Sequence, residues 1–196
     1  MLDVDGVLTD GRLYFGAKGE QLQAFHVHDG HGVRAVQRAG IEVAVISGRR
    51  SPSARARCRE LGIRYLIQGA DNKLAAFTAL RLRLKVRAEE CACIGDDVMD
   101  IPVMSAVGRA YAVADAHPDA RNAAHWATAA AGGRGAVREV CDELLRATRP
   151  PKRAARRRNG HVGPVRRSRD GERGPVRRSP ARPPERAARK RKDEGG

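Results

Sequence analysis

The chain has 196 residues, with 38 Lys and Arg against 23 Asp and Glu and a formal net charge of +15. Residues 149–196 hold 18 of those bases and only 5 of those acids, so most of the excess charge lies there. No apolar run reaches the roughly 18 residues of a membrane helix and no basic, then apolar, leader opens the chain, which predicts a cytoplasmic protein with no membrane partner.

The first element carries the question. "MLDVDGVLTDG" places Asp3 and Asp5 one residue apart, ahead of Gly6 and a Thr-Asp-Gly turn. A strand normally needs about five residues to hold its place in a sheet. Only Met1 and Leu2 precede Asp3, so the expectation is either a start further upstream or a truncated first strand that fixes Asp3 poorly. Next, "RLYFGAKGEQLQAFHVHDGHG" holds two alternating runs, around Leu13 to Phe15 and Gln21 to Val27, joined by Gly-Ala-Lys-Gly. That pattern predicts a hairpin flap inserted between the first strand and the first helix.

Further on, "GIEVAVISG" reads as a buried strand ended by Ser47 and Gly48. "SPSARARCRELGI" then opens a helix, with Ser51 as N-cap and Pro52 at the first helical position. "NKLAAFTALRLRL" places Leu74, Ala76, Phe77 and Leu80 on one helical face. "EECACIGDD" is a second buried strand, ended by Gly-Asp-Asp, and a glycine-rich turn precedes the helix "AVREVCDELL". Cys58, Cys91, Cys93 and Cys141 form no paired CxxC units and read as buried thiols.

Strands alternating with helices predict an α/β domain over residues 1–148 with a mostly parallel sheet. Ligands of such sheets bind outside the carboxyl ends of the strands. Asp3, Asp5, Asp96, Asp97 and Asp100 all follow strand ends, so five carboxylates are expected to converge on one volume. Without a cation their mutual repulsion is costly, and an all-oxygen ligand set suits magnesium. Each motif also has a plainer reading, the DxD as an Asx-turn and the GDD as a turn with a helix cap. Their occurrence together, with "SGR" and Lys73 between them, favours the functional one.

The order DxDGxxTDG, a strand ending SGR, Lys73, then GDDxxD resembles the haloacid dehalogenase superfamily of phosphotransferases. The longer stretches "DVDGVLTDG", "FHVHDGHGVRAV", "VAVISGRR", "LGIRYLIQGADNKLAAF", "IGDDVMDIPVM", "AVADAHP" and "GGRGAVREVCD" are similar to the 3-deoxy-D-manno-octulosonate 8-phosphate phosphatase family, over about residues 2–145. The resemblance implies a Rossmann-like three-layer haloacid dehalogenase fold, helices flanking a parallel sheet, with a β-hairpin flap and no cap domain. It also implies a magnesium-dependent phosphomonoesterase in lipopolysaccharide sugar precursor synthesis, acting as a cytoplasmic homotetramer.

By the same resemblance Asp3 is the nucleophile and forms an aspartyl-phosphate, while Asp5 is the general acid and base. Magnesium is implied on Asp3, on Asp5 through its carbonyl, and on Asp96. Asp97 and Asp100 would hold metal-bound waters or Lys73, or else act only as helix caps. Ser47 and the Gly48 amide would donate to the phosphoryl oxygens, and Lys73 would balance its charge unless it is merely a solvated helix residue. His26, Val27, His28, Asp29, Gly30, Arg34, Arg49 and Arg57 are implied at the substrate, the arginines because guanidinium pairs with carboxylate and phosphate. Arg57 is two helical turns from Arg49, and both are expected to face one opening; the plainer alternative for Arg57 is a solvated helix face. His28 stands where the family commonly carries an arginine, so a mostly neutral side chain replaces a cation there. Gly133 and Arg134 read as an intersubunit contact or lid, or as an ordinary turn.

After Leu145 the chain has no Leu, Ile, Met or aromatic residue, too little apolar surface to offset the entropy of ordering it. Residues 149–196 are therefore expected to be a disordered basic tail. Its repeat, "GPVRRSRDGER" then "GPVRRSPARPPER", suits phosphate backbones, and with no aromatic residue to stack on bases any nucleic-acid binding would be unspecific and salt-sensitive. A dispensable extension is the alternative. Other readings of the whole chain are a phosphatase for a nine-carbon sugar acid phosphate, a weakly active member whose tail binds nucleic acid, and a silent assembly partner.

Overall fold

The computed structural model describes residues 1–19 and 21–148. The tail from residue 149, with the disorder and nucleic-acid binding expected of it, lies outside the described residues. In chain order the elements are β1 (Tyr14–Phe15), β2 (Gln21–Leu22), α1 (Val27–Arg38), β3 (Ala44–Ser47), α2 (Pro52–Glu60), β4 (Tyr65–Gln68) and α3 (Lys73–Leu84). They continue with β5 (Ala92–Gly95), α4 (Ile101–Met104), β6 (Arg109–Ala112), α5 (Pro118–Ala123), β7 (Trp126–Ala127) and α6 (Ala136–Thr148), and a 3-10 turn spans Val98–Asp100.

β3 and β5 are the strands expected from "VAVIS" and "CACIG". Val45, Ile46, Cys93 and Ile94 are all buried, as strands covered by helices on both faces require. β3 pairs in parallel with β4, β5 with β6, and β6 with β7. Between β3 and β5 lies the segment Met1–Asp3: Leu2 bridges Val45 on one side and Ile94 on the other, both in parallel. The Leu2 amide donates to Ala44 O at 2.8 Å, its carbonyl accepts from the Ile46 amide at 3.0 Å, and the Asp3 amide donates to Ile94 O at 3.3 Å. The sheet order is therefore β4, β3, Met1–Asp3, β5, β6, β7.

This corrects the expectation of a poorly fixed Asp3. A central strand has a partner on each edge, so two residues make the hydrogen bonds that an edge strand would need about twice the length to make. Leu2 is 6% exposed and packs in the core beside them. An apolar cavity of about 530 Å³ opens beneath Met1, lined among others by Leu2, Val43, Phe77, Leu80, Ala92 and Ile94. It lies at the amino ends of the strands, and Asp3, Asp96 and Asp100 are not among its lining residues.

Helices flank the sheet, α1 packing on α6 and α3 on α4. Ser51 caps α2 as its sequence predicts, its Oγ accepting from the Ala54 amide at 3.1 Å with Pro52 at the first turn. Asn72 caps α3 the same way, accepting from the Ala75 amide at 2.9 Å, and Phe77 and Leu80 are buried on the expected face. The hairpin is shorter than its alternation implied, since each strand has two residues and the segment from Val27 is helix, not strand. Tertiary packing decides this: a Cβ at Gly32 would lie 3.1 Å from the Arg138 backbone, so the bare glycine lets α1 seat against α6. No helix among the described residues is long and apolar enough to cross a membrane.

Candidate active site

Three carboxylates and one lysine meet at the carboxyl edge of the sheet. Lys73, the first residue of α3 and 5% exposed, lies between two of them, 2.9 Å from Asp3 Oδ2 and 2.8 Å from Asp100 Oδ1. The other oxygen of Asp100 accepts from the Asp96 amide at 3.2 Å. One oxygen each of Asp3, Asp96 and Asp100 lies within 4.8 Å of the others. Burial works against the charged lysine, yet Asp3 and Asp100 together hold its pKa above the ordinary value.

The charges do not balance. Burial, and then the neighbouring Asp100, push the Asp3 carboxyl up to about 6; burial, then Asp3 and Asp100, push Asp96 up to about 8. Asp96 Oδ1 is buried with no hydrogen-bond partner among the described residues. With all three carboxylates ionised, one ammonium would leave two negative charges uncompensated, which adds to the upward push on Asp3 and Asp96, and Asp96 keeps a buried oxygen without a partner. A divalent cation with a preference for oxygen ligands fits this donor set, with Asp3 and Asp96 as the carboxylates able to hold it.

The loop between Asp3 and Asp10 is wound tightly around this group. The Thr9 hydroxyl, fully buried, donates to Val4 O at 3.3 Å and accepts from the Gly6 and Gly11 amides at 3.4 and 3.2 Å. Gly6 has φ +83°, and a Cβ there would lie 2.0 Å from Asp96 Oδ2. Its bareness thus makes room for Asp96 as well as permitting the left-handed turn. From the far end of the chain, Gly132 donates to Asp115 at 2.9 Å and Gly133 to Val7 O at 2.9 Å, which ties the glycine-rich turn to this loop.

The expected convergence of five carboxylates is corrected to three. Asp97 points outward and accepts from the Val98 amide at 2.7 Å, capping the 3-10 turn, because that turn would otherwise leave its first amides unpaired. Asp5 leans away to Arg49, whose Nε is 3.3 Å from Oδ2, and to Gln23, whose amide donates to Oδ1 at 2.6 Å. Ser47 is buried at the end of β3, its Oγ accepting from the Arg49 amide at 3.2 Å, with the exposed Gly48 beside it.

The expected substrate contacts divide. Arg49 is at the site, but Arg57 and Arg49 do not face one opening. Arg57 donates to His26 O at 3.3 Å, pairs with Glu60 at 2.8 Å and lies over the Phe25 ring, because the bare Cα of Gly30 lets its guanidinium tuck in beside α1. Arg34 donates to Glu60 O across the same α1–α2 contact. Asp29 is 1% exposed, and its carboxylate caps α6, accepting from the Gly135 amide at 3.3 Å and the Arg138 amide at 2.8 Å. His26, exposed Val27 and exposed His28 stand at the opening of α1, the two imidazoles edge to face with centroids 5.0 Å apart. Gly133 does not stand free as a lid, since a Cβ on it would meet the Thr9 backbone at 2.4 Å; Arg134 reaches Asp10 at 3.9 Å. Sequence reasoning gave no role to Gln23, Thr9 or Asp115: Thr9 and Asp115 lie inside the quoted stretches "DVDGVLTDG" and "AVADAHP" but form their contacts only in the packed chain, and Gln23 is a polar position with no signal beyond the hairpin pattern.

A parallel sheet whose carboxyl edge gathers Asp3, Asp96, Asp100, Lys73 and Ser47, with no cap inserted among the described residues, defines a haloacid dehalogenase-like hydrolase, and that family matches residues 20–108. The chain is 53% identical over 145 residues to the 3-deoxy-D-manno-octulosonate 8-phosphate phosphatase of Escherichia coli strain K12, covering 74% of this chain and 77% of that protein. It therefore belongs to the 3-deoxy-D-manno-octulosonate 8-phosphate phosphatase family. The crystal structure of the Yersinia pestis phosphatase is similar with a TM-score of 0.73 at 50% identity, covering 74% of this chain and 79% of that one. That of the Moraxella catarrhalis phosphatase, in complex with magnesium, phosphate and KDO, has a TM-score of 0.73 at 40% identity, covering 74% and 84%.

Proposed function

We propose that the chain is a magnesium-dependent phosphomonoesterase that releases phosphate from 3-deoxy-D-manno-octulosonate 8-phosphate, and so supplies a lipopolysaccharide sugar precursor. The observation that carries this is the buried Asp3–Lys73–Asp100 line beside the unpartnered oxygen of Asp96, in a chain about half identical to phosphatases of that name.

The residues support two half-reactions. In the first, an oxygen of Asp3 forms a bond to phosphorus while the bond from phosphorus to the sugar oxygen breaks, and the carboxyl of Asp5 gives its proton to the leaving alkoxide. In the second, water attacks the phosphorus of the aspartyl-phosphate, its proton returns to Asp5, and Asp3 leaves as a carboxylate. Lys73, locked by Asp100, keeps a positive charge beside Asp3, and Ser47 with the Gly48 amide donates to the phosphoryl oxygens. Magnesium, held by Asp3, Asp96 and the carbonyl of Asp5, would screen the repulsion between carboxylate and phosphate. Arg49 would meet the anionic substrate, with His26, Val27 and His28 at the start of α1, while Gly30 is buried against Arg57.

We also propose a homotetramer in the cytoplasm. Tyr14, Phe15, Leu22 and Val27 are 49%, 63%, 65% and 77% exposed on the hairpin and the start of α1, and Tyr14 and Leu22 are cross-strand partners, so apolar side chains are available there for burial against another copy. Four unpaired cysteines suit a reducing compartment. The reading is tested by phosphate release with magnesium present: the wild type releases phosphate and Asp3→Asn does not. Activity that survives Asp3→Asn would sink the mechanism.

A further inference from the structure

We propose that Gln23 is a positioning residue for Asp5, through which the hairpin sets the carboxyl that protonates the leaving group; this rests on the phosphatase reading above. Gln23 directly follows β2 and is half-buried. Its side-chain amide joins three pieces of the molecule. Nε2 donates to Asp5 Oδ1 at 2.6 Å, Oε1 accepts from the Ser51 hydroxyl, and Ser51 is the buried N-cap of α2.

The direction of the amide is fixed by its neighbours. Ser51 Oγ already accepts from the Ala54 amide at 3.1 Å, so its own hydrogen is directed at Gln23. Oε1 must take that hydrogen, which leaves Nε2 facing Asp5; a flipped amide would set its oxygen against a carboxylate that, when ionised, can only accept. Gln68 holds the Ser51 carbonyl from β4 at 2.9 Å, so the anchor of this chain of bonds belongs to the rigid sheet. Asp5 is thus held from both sides, with Gln23 on Oδ1 and Arg49 on Oδ2. Arg49 belongs to the phosphate-binding turn, while Gln23 is the contact that comes from the hairpin. A shift of the hairpin moves Gln23 and with it the carboxyl that must reach the sugar oxygen.

This role has a signature that a loss of fold does not share, because only a poor leaving group needs the proton. The full chain, with magnesium, is assayed on 3-deoxy-D-manno-octulosonate 8-phosphate, whose leaving group is an alkoxide, and on 4-nitrophenyl phosphate, whose leaving group departs without protonation. For Gln23→Leu, which fills the same space, kcat/KM on the sugar phosphate is expected to fall by about a hundredfold, the cost of a misplaced catalytic group, while that on 4-nitrophenyl phosphate and the melting temperature stay near wild type. Gln23→Ala is expected to show the same split. An equal fall on both substrates, or none on either, overturns the role of Gln23. A wild type that hydrolyses neither ester, or an Asp3→Asn variant that hydrolyses both, overturns the phosphatase reading and the inference with it.

Discussion

Lys73 has no exit to solvent and two carboxylates to serve. Its ammonium is 2.9 Å from Asp3 and 2.8 Å from Asp100, each nearly or fully buried, so its removal strands two like charges in the interior. Breaking a buried pair by deleting one partner costs about 3–5 kcal/mol, and Lys73→Met is expected to lose that much stability in urea unfolding as well as all phosphate release. Adding Asp100→Asn to Lys73→Met should restore part of the stability and none of the activity. If the single variant is as stable as the wild type, the ammonium is not what balances this site.

Asp29 makes the corresponding argument at the scale of elements. It sits in the first turn of α1, yet its carboxylate is the N-cap of α6, more than a hundred residues later in the chain. Losing such a cap costs about 1 kcal/mol, so Asp29→Ala should lower the melting temperature by a few degrees while leaving KM for the sugar phosphate unchanged. A raised KM with unchanged stability would return Asp29 to the substrate. Burial raises its carboxyl above the ordinary 3.8, opposed by the Arg138 and Gly135 amides. The folded chain then binds this proton more tightly than the unfolded one, so the stability of the wild type relative to Asp29→Asn falls as pH rises through the window above 3.8. The elements themselves were largely legible in advance. "SPSARA" and "NKLAAF" carry local caps that need no tertiary partner, and both helices start where those residues place them. The run Gln21 to Val27 misled, because its alternation matches a strand while only Gln21–Leu22 pair and Val27 already opens α1, whose Gly32 serves helix packing.

For the whole molecule, the first sheet strand shows what a neighbour on each side is worth. Met1 and Leu2 alone would hold nothing, yet inserted between β3 and β5 they fix Asp3 at the sheet's carboxyl edge. We propose residues 149–196 as a separate basic extension. Deleting them should leave kcat unchanged and remove any salt-sensitive retention on DNA or RNA; a fall in kcat would make the tail part of the enzyme. The sequence by itself determined the alternating architecture, the Ser51 cap of α2 and a gathering of carboxylates at strand ends that calls for a cation, since these follow from local pattern; the roles of Asp3, Asp5, Ser47, Lys73 and Asp96 came from the order of motifs that resembles the family. Only the tertiary structure decided which carboxylates share a volume. It turned Asp97 outward to a cap, Asp5 toward Arg49 and Gln23, and Asp29 and Arg57 into the contacts of α1. The physical reason is that a side chain's partner is fixed by which groups are left unpaired nearby once the chain is packed, and spacing along the sequence does not record that.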